Sequence, residues 1–121
     1  MREVRSSDGE VVQQAGNNDF SRAMSADVAS KISSMMQQVV QRGTGTRAAI
    51  AGIQVAAKTG TAQTGLGTAH AWTIAFAPAD APRVAIAVLI ENQPEVSTAT
   101  GGRVAAPVAR EVLQAALAAT S

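Results

Sequence analysis

The sequence predicts an α+β fold, an antiparallel sheet covered by helices, and three observations carry that reading. Apolar residues recur at helical spacing over 25–42, three short apolar runs follow with brief connections, and a second helical pattern closes the chain at 103–118. Such short links between apolar runs join neighbouring antiparallel strands, because a parallel pair needs a long crossover.

The elements follow in order. A Ser-Ser-Asp-Gly break at 6–9, with Val4 before it and Val11-Val12 after it, predicts a small hairpin turning at Asp8-Gly9. Residues 16–19, Gly-Asn-Asn-Asp, read as a loop. Ser25 is a capping residue with Asp27 in the first turn, and Val28, Ile32, Met35, Met36, Val39 and Val40 form one apolar helical face. The paired methionines read as adaptable core filling. Arg42 in the last turn and Gly43 just beyond it mark the helix end. Residues 53–61 read as the first sheet strand and 62–69 as a Gly/Thr loop. A second strand over 71–77 places Trp72, Ile74 and Phe76 on one face by period two. After a Pro-flanked turn at 78–82, the continuous apolar run at 84–90 predicts a third strand buried on both faces. A loop over 91–102 leads to the last helix, with Pro107 in its first turn and a stripe of Val104, Val108, Val112, Ala115 and Ala116. No internal repeat is present.

Composition bounds what these elements can do. The chain has 121 residues, 46% apolar, but only two Phe, one Trp and no Tyr. Much of the apolar fraction is alanine, which buries little area per residue, so the core is thin. That suits a piece packing against further chain better than a self-sufficient globule. The net charge of +1 comes from interspersed charges without a basic block, and base-stacking aromatics are nearly lacking, so nucleic acid is not an expected partner. The absence of Cys removes disulfide and thiol chemistry, and a single His without a Cys/His cluster argues against zinc. No cofactor or metal is expected. The N-terminus is charged without an apolar signal region, and the run at 84–90 is far too short for a membrane span.

Chemistry concentrates in Lys58-Thr59-Gly60-Thr61, at the end of the first sheet strand. A lysine beside hydroxyls at a strand end makes a carboxylate clamp: a compact positive charge with two hydroxyl donors. Gly60, without a Cβ, lets a bound backbone lie against the strand. An edge strand pairs with an extended peptide, and a backbone N–H near Thr61 suits a developing oxyanion. The bland alternative, a solvent-facing Lys-Thr-Gly turn, stays open on these residues alone. His70 and Trp72 open the next strand; a lone His is more often structural than catalytic. Asp80 and Glu91 read as solvated charges. Ser30, Ser33 and Ser34 lack a lysine three residues on.

Two nucleotide-binding patterns are near misses. Gly52 through Thr59 has Ala57 where the phosphate-binding loop needs glycine, and its strand falls inside the would-be loop. The segment 43–48 matches G-x-G-x-x-A but follows a helix.

Lys-Thr-Gly is also one of three motifs shared by penicillin-binding proteins and class A β-lactamases. Together with Val39-Val40-Gln41-Arg42-Gly43-Thr44-Gly45, Val55-Ala56-Ala57-Lys58-Thr59-Gly60-Thr61-Ala62-Gln63, His70-Ala71-Trp72 and Phe76-Ala77-Pro78, it makes the chain resemble the C-terminal part of a penicillin-binding protein transpeptidase domain of class B. The resemblance covers nearly the whole chain and implies a partial serine β-lactamase/transpeptidase fold. Residues 1–121 would be the C-terminal portion of one domain whose N-terminal part lies outside this chain. It implies peptidoglycan cross-linking: a serine attacks a D-Ala-D-Ala stem peptide, forms an acyl-enzyme, and passes the acyl group to a neighbouring stem. β-Lactams acylate the same serine. Lys58 would set the electrostatics of the site, and Thr59 and Thr61 would bind the substrate or β-lactam carboxylate and amide. Gly60 would line the cleft, Thr61 N–H would lie in the oxyanion hole, and the His70–Trp72 strand would run beside it. The parent would sit at the outer face of the cytoplasmic membrane, anchored by another segment.

The departures are as informative. Ala57 replaces a glycine often found before the lysine. The nucleophile motif Ser-x-x-Lys is absent, because the only lysines, Lys31 and Lys58, have Val28 and Val55 three residues before them. No Ser-x-Asn triplet occurs either. The nucleophile and its base therefore map onto no residue here. A non-catalytic fragment with a binding or structural role is the alternative.

Overall fold

The structure, a computed structural model, describes residues 3–14, 21–94 and 98–120. The loop expected at 16–19 lies outside the described residues. At the start, β1 (Glu3–Arg5) and β2 (Val11–Gln14) pair antiparallel through a turn in which Gly9 takes φ +88°. Only a residue without a Cβ adopts that φ cheaply. The Ser6 hydroxyl donates to the Asp8 carboxylate within the turn and holds the Asp8 pKa below its ordinary value.

Helix α1 (Ala26–Arg42) starts where the cap predicts: the Ser25 hydroxyl accepts from Val28 N–H at 3.3 Å. It stops at Gly43, whose N–H returns to Val39 O at 3.1 Å. Its apolar face is only partly covered; Val40 is buried, whereas Met35 is 60% exposed and Val28 43%. A single 3₁₀ turn at Thr46–Ala48 and a tight turn at Gly52, φ +75°, lead into the sheet.

The main sheet has the order β3-β4-β5, all antiparallel: β3 (Ala56–Gln63), β4 (Ala69–Ala77) and β5 (Val84–Gln93). The first strand begins three residues later than the expected 53, because Ile53 closes an isolated bridge with Ile50 around the Gly52 turn. The third strand corrects the expectation of burial on both faces. It is an edge strand whose residues alternate between half-buried and exposed from Val84 to Ile90. Continuous apolarity here reflects alanines alternating with larger residues, so one face carries Val84, Ile86, Val88 and Ile90 and the other Ala85, Ala87 and Leu89.

The closing helix is also shifted. A wide turn over Gly101–Ala105 precedes α2 (Ala106–Ala119). The expected stripe is not the buried one: Val108 and Val112 are exposed, and α2 instead buries Ala106, Ala109, Leu113 and Leu117. Of these, Ala106, Leu113 and Leu117 join Ala57, Ala75, Ala77, Val40, Ile50 and Val55 in the core, with Val84 and Ile86 against them. Alanines on both helix and sheet let the two layers approach closely, which branched valines would prevent. The result is a three-stranded sheet with α1 over one face and α2 over the other. Trp72, Ile74 and Phe76 share one face as expected, and it is the less covered one: Trp72 is 39% exposed and Ile74 47%.

Candidate functional site

Lys58, Thr59, Gly60 and Thr61 lie in the middle of β3, at an edge of the main sheet. An edge strand leaves alternate backbone N–H and C=O groups free to meet an extended ligand. Register brings the other candidates alongside: Gly60 is opposite Trp72, Thr61 opposite Ala71 and Ala62 opposite His70.

Alternation then sorts the motif onto two faces. Lys58 and Gly60 share the face of Ile74 and Trp72. Lys58 is exposed and lines an apolar cleft of about 420 Å³ with Ile32, Met35, Met36, Val39 and Ile74, between α1 and the sheet. Its ammonium donates to Thr59 O. Thr59 points the opposite way and is only 8% exposed. Its hydroxyl pairs with that of Thr44 at 2.6 Å. Thr61, two residues on, is exposed.

The back of the motif is built by glycines. The turn at Gly101-Gly102 presses against the strands so closely that a Cβ on Gly101 would fall 2.5 Å from Gly60 O and collide with Trp72 O. A Cβ on Gly102 would collide with Thr44 O. Thr73, fully buried, donates its hydroxyl to Gly101 O at 3.2 Å. At the far end, the half-buried His70 accepts the Asn92 N–H on Nδ1 at 3.1 Å.

All six candidates therefore fall on two adjacent strands. The contacts that sequence reasoning missed are Thr44, Gly101, Gly102 and Asn92. Each lies at least 15 residues in sequence from the residue it meets, and its residue type gave no signal. The phosphate-loop alternative is excluded by geometry: Lys58 and Thr59 lie within a strand, and no helix follows them to offer its N-terminus to a phosphate. Among the described residues no group of three His, Cys, Asp or Glu side chains is placed to hold a metal.

Comparison with known proteins gives the same assignment. The penicillin binding protein transpeptidase domain matches residues 5–114. The chain belongs to the penicillin-binding protein transpeptidase family. It is 48% identical over 103 residues to the peptidoglycan D,D-transpeptidase PbpA of Mycobacterium tuberculosis, a match covering 79% of this chain and 20% of the relative. The probable peptidoglycan D,D-transpeptidase PenA of Neisseria flavescens is 37% identical over 126 residues, or 94% of this chain and 31% of that protein. Among solved structures, the ceftriaxone acyl-enzyme complex of penicillin-binding protein A from M. tuberculosis superposes with a TM-score of 0.78 at 41% identity, covering 96% of this chain and 27% of that one. The D,D-transpeptidase domain of a peptidoglycan glycosyltransferase from Eggerthella lenta gives 0.77 at 37% identity, over 99% and 27%. The transpeptidase-family chain thus spans about a fifth of the length of the mycobacterial relative it matches. Its α+β architecture is a partial form of the family fold.

Proposed function

We propose that this chain supplies the Lys-Thr-Gly wall of a serine D,D-transpeptidase that cross-links peptidoglycan and is acylated by β-lactams. The chain is then the C-terminal portion of one transpeptidase domain. The remainder of that domain brings the nucleophilic serine and its activating lysine. The parent works at the outer face of the cytoplasmic membrane, held by an anchor elsewhere; among the described residues no helix is long and apolar enough to cross a membrane.

One observation carries the reading: Lys58 and Thr61 stand open on an edge strand with half-buried Gly60 between them, and the Lys58 side chain lines a cleft. In the proposed reaction the serine hydroxyl adds to the carbonyl of a D-Ala-D-Ala peptide and gives its proton to the base. The carbon–nitrogen bond then breaks and D-Ala leaves with a proton. The amine of a second stem peptide takes the acyl group and regenerates the serine. The Lys58 ammonium stabilises negative charge that develops near the nucleophile. Thr61 offers its N–H to the oxyanion and its hydroxyl to the substrate carboxylate. Thr59, with its hydroxyl turned onto Thr44, orients the strand so that Thr61 is presented. Gly60 lets the substrate backbone lie close, and Trp72 bounds the site.

The test joins this chain to the nucleophile-bearing remainder of the domain from M. tuberculosis PbpA and measures acylation by a fluorescent penicillin. Lys58→Ala should slow acylation about 10²-fold, the scale of removing one preorganised electrostatic group, with little change in the melt. Acylation at the parent rate with an intact fold would remove Lys58 from the site.

A further inference from the structure

We propose that His70 is a positioning residue: its neutral imidazole locks the β4–β5 bulge and thereby fixes the strand that carries Thr61. The ladder between these strands runs regularly from Ala77↔Val84 to Ala71↔Ile90, then jumps to Ala69↔Gln93. In that interval β4 contributes only His70, whereas β5 contributes Glu91 and Asn92. Two residues facing one is a bulge, and a bulge leaves a backbone group without its ladder partner. Asn92 has φ +52°, the left-handed conformation that Asn tolerates better than most residues. Its N–H is the group displaced from the ladder, and it meets His70 Nδ1 at 3.1 Å.

That bond fixes the state of the ring. A nitrogen that accepts carries no proton, so the imidazole is neutral with its hydrogen on Nε2. The bond also has a structural consequence. Within the sheet, the end of β3 beyond Gly60 is paired only with β4, through Thr61↔Ala71, Ala62↔His70 and Gln63↔Ala69. The matching end of β4 is joined to β5 across the bulge. Between the ladder pairs Ala71↔Ile90 and Ala69↔Gln93, the imidazole therefore adds a tie between β5 and the part of β4 that backs Thr61 and Ala62. His70 acts through Asn92, and no contact between its ring and substrate is required.

The consequence for acylation rests on the function proposed above; the lock itself does not. The joined domain, with this chain's portion labelled with ¹⁵N, is the first material. Long-range ¹H–¹⁵N spectra at neutral pH should show the Nε2–H tautomer, and a predominantly Nδ1–H ring would overturn the lock even if no variant folds. Amide exchange at Asn92 should be slow in the parent and in His70→Asn, whose side-chain oxygen supplies an acceptor near the position of Nδ1. It should be about tenfold faster in His70→Leu, the scale of one net hydrogen bond. Equal protection in parent and His70→Leu would refute the proposal. In the joined domain, His70→Asn should acylate within about threefold of the parent and His70→Leu about tenfold slower, both margins being roughly that same scale. If His70→Asn is as slow as His70→Leu while Asn92 stays protected, the ring acts by direct contact and the positioning role fails. If the joined parent itself is not acylated, the function proposal fails while the tautomer and exchange results still decide the lock.

Discussion

Lys58 and Thr59 are neighbours in sequence and part company in space. One lines a cleft; the other is 8% exposed, with its hydroxyl on Thr44. The pleat of a strand enforces that division, since successive side chains leave opposite faces. It also separates the expected effects of mutation. Thr59→Val keeps the shape and removes one hydroxyl, while exposed Thr44 can turn to water. The expected loss is about 1 kcal/mol of stability, read by urea denaturation of the chain or the joined domain. Its effect on acylation should be smaller than that of Lys58→Ala. A variant as stable as the parent would show that the Thr44–Thr59 pair contributes nothing net to the fold.

Gly60 and Gly101 illustrate what an element asks of a residue. A Cβ on Gly60 would sit 3.5 Å from Trp72 Cβ, an ordinary contact, so the sheet tolerates alanine there. A Cβ on Gly101 would fall 2.5 Å from Gly60 O, backbone that belongs to two paired strands and cannot step aside. Gly101→Ala should therefore destabilise the fold by about 3 kcal/mol, the upper range for overpacking, whereas Gly60→Ala should melt close to the parent. Yet Gly60→Ala should slow acylation in the joined domain, because the new methyl would stand where the proposed substrate backbone lies. Melts and acylation rates of both variants check the contrast. A Gly101→Ala protein as stable as the parent would mean the turn packs less tightly than its geometry states.

The whole molecule leaves considerable apolar surface open. Met35 on α1, Ile74 and Trp72 on the sheet, and Val108 and Val112 on α2 are each at least 39% exposed. The cleft between α1 and the sheet is lined almost wholly by apolar side chains. Such surface on several sides favours association, and a core made largely of alanine offsets chain entropy only narrowly. The chain alone should be marginally stable or self-associating, as read by thermal melts and sedimentation across concentration. A sharp, concentration-independent transition of a monomer would contradict this. It should also take no covalent label from a fluorescent penicillin on a denaturing gel, since it contains neither the serine nor the lysine of the nucleophile motif. A label surviving denaturation would reveal a nucleophile outside that motif.

The features legible along the chain are local. Helix α1 follows from its cap, its period and its glycine stop, the hairpins follow from Asp8-Gly9 and the Gly/Thr loop, and Lys58-Thr59-Gly60-Thr61 is legible as a motif on a strand. These depend on residues within a few positions of one another, so a linear reading captures them. Which faces are covered depends instead on the packing of segments far apart in the chain. Along 104–117 the valines and the set Ala105, Ala109, Leu113, Leu117 both recur at helical spacing, and periodicity cannot choose between two stripes. The choice fell to the sheet, whose alanines admit a closely packed helix and leave the valines outside. The supports of the site were likewise beyond reach, because Thr44, Gly101 and Asn92 gain their roles only when folding brings distant backbone against β3 and β4.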